Sequence, residues 1–590
     1  MRRRLYLSLF ALLLLLLSGC GKGSMPETRI QVSILESTGF TVENNGQYIQ
    51  PGEDAVFLLS MGYGFSLADT DYDGVYRIAV EGGKIRLTLE NVQYPTRVAL
   101  ELTDLYSSIT YEPNGGTGEA VTVAYDTTIH LRPNTSIGTD IFTREGHTLT
   151  GWNTRADGTG ERVGLGSRVS LPGKELTLYA QWAKWSDGRD FDWAANEEGI
   201  TITGYHGNDA GLIVPAILDG REVTAIAAGA FRNCAMTGVV LPVTLSTVED
   251  GAFQDCALEV LTLFDNIESI GDGAFSGCEQ LKTLRVNAVE RPYGISYRKE
   301  SCYADKADLL ILARGEKKIV FYGGCSVWYN LDGSMLSSLL EQGYRVVNMG
   351  LNGLVNSSAQ MQILEHFLEP GDILFHTPEL SSAKQLLIDQ TMDIKDDDKL
   401  WCGLEYNYDL FALVDLRTVP GALDSFCGYL ARKGSGTTYT AAYRVNGSAF
   451  WDEYGCIPFY RDRTQETLAD EVYLDPLYIS EEAVTRLRTF YDRYQARGVR
   501  VYLSYACVNT DAVPEEQRGN VELMDRLFRE AVEEMDGPVL ISRLEDFLYR
   551  RGDFYDTNYH LLSEPARKNT SLWLRDLRAQ MEKDGLWKEP

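Results

Sequence analysis

A 22-residue period constrains this chain more than any other feature. Gly229-Ala230-Phe231-Arg232-Asn233-Cys234 recurs at Gly251–Cys256 and again at Gly273–Cys278, so Phe231, Phe253 and Phe275 stand 22 residues apart. A fixed period of this length reads as a solenoid, because one coil cannot bury its apolar face alone and must stack on the next. Region 198–290 is expected to form three or four such coils with Phe, Leu and Ile inside. Cys234, Cys256 and Cys278 would then stack at about the 4.8 Å strand spacing. Identical side chains on stacked coils point in parallel, which suits a disulfide poorly, so the three are read as a buried thiol ladder.

The intervening segments "LPVTLSTVEDGAF" and "LFDNIESIGDGAF" resemble the BspA-type leucine-rich repeat. That resemblance implies a concave face for proteins or glycans, with a spacer role left open for so few coils. Residues 106–184 resemble an internalin-type B repeat, carried by "TYEPNGG" at 110–116, "REGHTLTGWNT" at 144–154 and "LTLYAQW" at 176–182. It implies a cell-surface spacer or adhesive module. Trp152 and Trp182 are expected to fill a core too small to hold without large aromatics. From 29 to 105, alternating runs such as "RIQVSILE" and "KIRLTLE" between turn residues indicate a small β-sandwich. Inside it, Asp69, Asp71 and Asp73 are spaced like the start of a calcium loop, but Val80 stands where a bidentate Glu belongs. A solvated acidic turn is expected there.

The chain opens Met1-Arg2-Arg3-Arg4, then an apolar run from Leu5 to Leu17, the layout of a signal peptide over 1–19. Leu17-Ser18-Gly19-Cys20 resembles a bacterial lipobox. It implies diacylglycerol on Cys20, a polar tether over 20–28 and an extracytoplasmic protein anchored to the cell membrane. Several acyl chains hold stably where one is marginal. The net charge of −29 argues against nucleic acid as a partner. Of ten cysteines, Cys20 is the expected lipid site, and no CxxC pattern points to zinc.

Beyond residue 316 the pattern changes to strand–helix alternation. Strands are expected at 317–322, 344–348, 371–376, 499–504 and 537–541. Helices are expected at 333–342, 357–368, 480–497, 515–534 and 563–583. Such alternation predicts a mostly parallel sheet covered on both faces, a three-layer α/β domain over 316–585, with chemistry at the carboxyl ends of the strands. "FYGGCSVWYNLDG" at 321–333, "NMGLNG" at 348–353 and "FYDTNYHLL" at 554–562 together resemble the SGNH/GDSL hydrolases, most closely their DltD-like envelope members.

What the resemblance implies is a catalytic set of Cys325 in place of the family's serine, His560 as base, Asp556 as its orienting carboxylate, and Asn348 and Gly353 from the second block. The Gly353 amide would face the oxyanion, and Ser326 and Glu379 would lie at the substrate. Three departures stand out: Cys replaces Ser, the third block's Asn is absent from "HTPEL", and Asp556 lies four residues before His560. A thiolate beside a histidine is a competent nucleophile, whereas losing one oxyanion donor costs about 2.7–4 kcal/mol. Buried thiols are also common as small hydrophobes. His376, at a strand end, is the rival base. The aromatic-rich insertion over 390–479 is expected to form a carbohydrate-facing wall.

The fold class expected is therefore multidomain: all-β modules, a short leucine-rich solenoid and a C-terminal α/β domain. Two functions follow. One is an acyl (acetyl) ester hydrolase or acyltransferase on envelope glycans. The other is a non-catalytic binding or scaffold lipoprotein with a degenerate SGNH fold, its partner an envelope polysaccharide or surface protein. No cofactor and no metal is expected.

Overall fold

A computed structural model describes residues 29–35, 40–61, 65–81, 84–104, 106–126, 142–167, 169, 175–289, 303–350, 357–378, 401, 404, 407–419, 421–433, 454–456, 461–464 and 479–588. The expected signal peptide, Cys20, Gly353 and Glu379 lie outside them. The chain divides into two compact units, Met1–Thr103 and Asp104–Pro590. Among the described residues, no helix is long and apolar enough to cross a membrane.

In the first unit, strict alternation produces a one-sided core. Along Glu53–Met61, Ala55, Phe57 and Leu59 turn inward while their neighbours do not. That strand lies between Phe40–Val42 and Lys84–Val92 in an antiparallel sheet whose edge is Tyr76–Glu81. A second sheet runs Gln47–Ile49, Ile30–Ile34, Thr96–Val98. Val32 and Ile34 of this sheet join Phe57, Leu59, Leu87 and Leu89 in one core, so the two sheets share an interior. The Asp69–Asp73 turn is tied up locally. Asp69 Oδ1 accepts from Tyr76 Oη at 2.5 Å, which lowers its pKa, and Asp71 Oδ1 accepts from the Ala99 amide at 2.7 Å. No cluster of three metal-ligating side chains occurs among the described residues.

The second unit begins with a five-stranded sheet built from residues 106–184. Trp152 is fully buried, with Tyr111 edge-on at 4.9 Å and Phe142 at 6.1 Å. Trp182 is half-buried and donates its indole N–H to the Pro113 carbonyl at 2.8 Å.

The solenoid follows. Parallel strands Gly211–Ile213, Gly238–Val240, Val260–Phe264 and Thr283–Asn287 form one wall, and Arg221–Ile226, Thr247–Val248 and Ser269–Ile270 form part of the other. Each coil turns at the same two places, so the period in sequence becomes a period in backbone conformation. The repeated glycine takes positive φ at Gly229, Gly251 and Gly273, and so does the residue before each cysteine, Asn233, Asp255 and Gly277. Phe231 stacks on Phe253 at 4.7 Å and 0°, and Phe253 on Phe275 at 5.2 Å and 6°. Cys256 and Cys278 are buried, and each thiol donates to the phenylalanine carbonyl of the preceding coil, Phe231 O at 2.9 Å and Phe253 O at 3.1 Å.

A solenoid's last strand needs a cover. Here Thr283–Asn287 meets two segments distant in sequence. The Ala288 amide donates to Leu165 O at 2.9 Å, and the Leu416 amide donates to Lys282 O at 3.0 Å. Asp409, in the short helix Tyr408–Leu413, accepts from the Gly164 amide at 2.7 Å and from Arg162 Nη1 at 2.9 Å. Five described aromatics of the insertion are interior. Trp401, Tyr408, Phe411, Phe426 and Tyr429 are all buried, Trp401 meeting Phe411 at 4.6 Å and Phe426 at 5.1 Å. This corrects the expectation of a carbohydrate-facing wall for these residues, since rings packed on one another offer no face to a sugar.

The remaining sheet is parallel throughout, in the order Arg345–Asn348, Lys318–Gly323, Ile373–Thr377, Arg500–Leu503, Val539–Leu540. Its three central strands read as continuous apolar runs because they are buried on both faces. Helices Ser357–Glu365, Glu481–Ala496, Asn520–Met535 and Ser563–Lys583 occupy the expected positions, and Tyr303–Leu312 and Ala422–Lys433 are additions. The Lys318 ammonium, fully buried, is held at 2.8 Å by both Asp372 and Glu369.

Phe253 has a ring on either side, whereas Phe275 lies at the end of the stack. Phe253→Ala is expected to cost about 3–5 kcal/mol and Phe275→Ala less, read from urea unfolding of the full-length protein. Equal, small losses would mean the stack does not hold the coils.

Candidate functional site

The strand Lys318–Gly323 ends where the backbone is too crowded for a side chain: a Cβ on Gly323 would sit 2.7 Å from Thr377 O and 2.6 Å from Val327 Cγ2. Gly324 then caps the short helix Cys325–Asn330. Cys325 is partly exposed at its start. Ser326 points the other way and is fully buried. The substrate-side role expected of Ser326 thus falls on a residue with no exposed surface.

The second strand end is threaded against this helix. Asn348, fully buried, accepts from the Gly350 amide at 2.8 Å and donates to Val327 O at 3.2 Å. A Cβ on Gly350 would lie 2.4 Å from the Trp328 amide nitrogen, and the Gly350 carbonyl accepts from Lys306 Nζ at 2.5 Å. Asn348 therefore shapes the loop, its amide nitrogen divided between the Val327 carbonyl and Cys456 Sγ at 3.4 Å. Gly353, the expected oxyanion donor, and Glu379 are outside the described residues.

His560 comes to the same helix from the far end of the chain. Its Nδ1 lies 2.6 Å from Asp556 Oδ1, so the four-residue spacing still makes the pair. The Tyr329 ring stacks flat on the imidazole, centroids 3.6 Å apart and 6° from parallel. Asn330 brackets the histidine on both sides, donating to Tyr559 O at 2.9 Å and accepting from the Leu561 amide at 2.8 Å. Cys325 and Tyr329 are one turn apart on this helix, and His560 stacks on the second of them. The imidazole is nearly buried, and its Nε2 has no hydrogen-bond partner among the described residues. A carboxylate on Nδ1 fixes the orientation of the ring.

The rival base is excluded by burial. His376 is interior, with Nδ1 2.6 Å from Tyr491 Oη and the Tyr322 ring 4.8 Å away, and desolvation pushes its pKa down to about 3. Asp332 also serves structure, capping the next turn through Ser334 and pairing with Arg567 at 2.9 Å. Three contributors were not singled out from sequence: Tyr329, Asn330 and Arg461. The first two carry a readable signal, lying four and five residues after Cys325 on one short helix.

His376 makes a pH-dependent contribution with a definite sign. Its folded pKa of about 3 lies below the ordinary 6.5, so between these values the unfolded chain binds the extra proton and stability falls as pH falls. The slope from this group approaches about 1.4 kcal/mol per pH unit. His376→Gln should flatten the stability–pH curve between about pH 6 and pH 4, measured by urea titration, while an unchanged slope would place the acid sensitivity elsewhere.

Comparison with known proteins bears on the repeats. Residues 218–309 match the BspA type leucine rich repeat region in six copies, and residues 108–181 match the Listeria-Bacteroides repeat domain. A protein of Evansella cellulosilytica named "Putative membrane protein" is 38% identical over 60 residues, which are 10% of this chain and 8% of that protein. The crystal structure of a leucine rich repeat protein from T. pallidum is similar at 18% identity with a TM-score of 0.13, over 24% of this chain and 61% of that one. The chain thus carries two repeat regions of kinds that associate with surfaces.

Proposed function

We propose that this protein is a surface-associated binding or scaffold protein whose leucine-rich coils and neighbouring β-repeat present the binding surface. The observation that carries this reading is the shared seal on the last coil. Asp409 and the aromatic cluster behind it join the repeats to the α/β region, and the insertion that would have furnished a substrate wall is used for that purpose. On this reading the α/β region is an SGNH-like three-layer fold kept as a rigid support, and diacylglycerol on Cys20 tethers the whole to the cell membrane. The partner is an envelope polysaccharide or a surface protein. The opposite end of the solenoid leaves Trp193 and Ile217 exposed, at 38% and 46%.

A second reading is favoured by one specific observation, the 2.6 Å contact of His560 with Asp556 beneath the helix that bears Cys325. On that reading the region is an acyl (acetyl) ester hydrolase or acyltransferase on envelope glycans. Cys325 attacks the acyl carbon as His560 takes the thiol proton and Asp556 steadies the imidazolium. The amides of Cys325 and Gly353 hold the oxyanion, the glycan alcohol leaves with that proton, and water or an acceptor hydroxyl then frees the acyl group from the thioester.

One set of proteins separates the two. Full-length protein in detergent micelles is assayed for co-sedimentation with cell-wall polysaccharide and for cleavage of a simple acetyl ester. The first reading predicts retention that Trp193→Ala and Ile217→Asp weaken and that Cys325→Ala leaves intact, with no ester turnover. Turnover abolished by Cys325→Ala, with no retention, would replace it by the second.

A further inference from the structure

Arg461 belongs to the insertion, far from either motif in sequence, yet it is buried against the candidate site at 5% exposure. Its Nε donates to Leu561 O at 3.0 Å and its Nη2 to Tyr329 O at 2.8 Å. The guanidinium carbon lies 5.5 Å from the centroid of the Tyr329 ring. The main chain is clamped as well: the Arg461 amide donates to Ser563 Oγ at 2.7 Å, and the Ser563 amide donates to Arg461 O at 2.9 Å.

The two carbonyls identify what this cation does. Tyr329 O is one of the last carbonyls of the Cys325–Asn330 helix, which have no acceptor role left within the helix. Leu561 O belongs to the residue after His560. One planar fork therefore ties the helix that carries Cys325 to the segment that carries His560, on the residue whose ring covers the imidazole. A buried cation is costly unless it is hydrogen-bonded and compensated. Here the carboxylates of Asp332 and Asp556 lie within its field, and Asp556 is also the histidine's partner. A lysine carries the same charge but not the fork.

We propose that Arg461 is a positioning residue for His560, fixing the imidazole on Tyr329 and over the Cys325 helix from outside the β/α frame. The proposal rests on the second reading of the site for its chemical consequence, though not for its geometry. It makes the insertion a functional part of the site through a single side chain, while the cluster of Trp401, Phe411 and Phe426 serves the solenoid.

The test uses full-length protein labelled with ¹³C at histidine Cε1, as wild type, Arg461→Lys, Arg461→Ala and, for assignment, His560→Ala. Ring current from Tyr329 moves the His560 resonance upfield in the wild type. Both Arg461 variants should return it toward the position of a solvent-exposed histidine, with the melting transition retained. The second readout is the pH profile of Cys325 alkylation by iodoacetamide. Near pH 7 the wild-type thiol should react faster than one of pKa about 8.5. His560→Ala and Arg461→Ala should each slow it roughly tenfold, the effect of one pKa unit. Should Arg461→Ala fail to fold, Arg461→Lys decides on the same readouts.

A wild-type resonance and profile in the Arg461 variants would overturn the proposal and leave Arg461 as a packed cation. If alkylation ignores His560→Ala while the resonance still moves in the Arg461 variants, the positioning stands and the catalytic reading falls.

Discussion

Everything in the second unit depends on how the solenoid ends. A stack of coils is satisfied internally except at its two ends, and the backbone and apolar face of the last strand would otherwise meet water. In this chain that strand, Thr283–Asn287, is covered from two directions, by the turn around Leu165 and by the Tyr408–Leu413 segment. Asp409 touches both covering elements at once. The ion pair with Arg162 is about one-third exposed on each side and by itself contributes little. The larger contribution comes from the aromatic cluster of Trp401, Phe411 and Phe426, which buries rings that each remove a large apolar area from water. The repeats and the parallel sheet therefore share one continuous core.

The candidate site is held by the same kind of long-range closure. Asn330 and Arg461 each bind backbone on either side of His560 or on the Cys325 helix, so the imidazole is placed by four hydrogen bonds to main chain. Asn348 does the equivalent for the neighbouring loop. Such main-chain clamps hold geometry whether or not chemistry follows, which is why the Asp556–His560 pair is compatible with both a working and a retired site. What distinguishes the two is the thiol's reactivity, not the arrangement around it.

Much of the fold was legible because its determinants are local and periodic. The 22-residue spacing specified not only the coils but their turns, with Gly or Asn and Asp at the positive-φ positions each time. The strand and helix runs beyond residue 316 were legible from continuous apolar segments alternating with amphipathic ones. The site was legible only in part. Asp556 and His560 are four residues apart, and their pairing needs no distant information. Arg461 and Asp409 find partners 100 or more residues away, and nothing in their neighbours announces it. The aromatic insertion misled for a related reason. Rings that stack on sugars and rings that fill a core have the same composition, and only their partners tell them apart. Cys325 and Ser326 are adjacent in sequence, and only the turn of the short helix makes one partly exposed and the other buried.

The central claim is that the insertion seals the repeats and makes them one body with the α/β region. Hydrogen–deuterium exchange of the full-length protein with Trp401→Leu tests it most directly. Trp401 is fully buried and donates to Ser425 Oγ at 2.9 Å, so the substitution opens a cavity and removes a hydrogen bond at the seal. The account predicts faster exchange in Tyr408–Leu413 and, together with it, in the solenoid strand Thr283–Asn287. Loss of protection confined to the insertion, with Thr283–Asn287 exchanging as in the wild type, would contradict it.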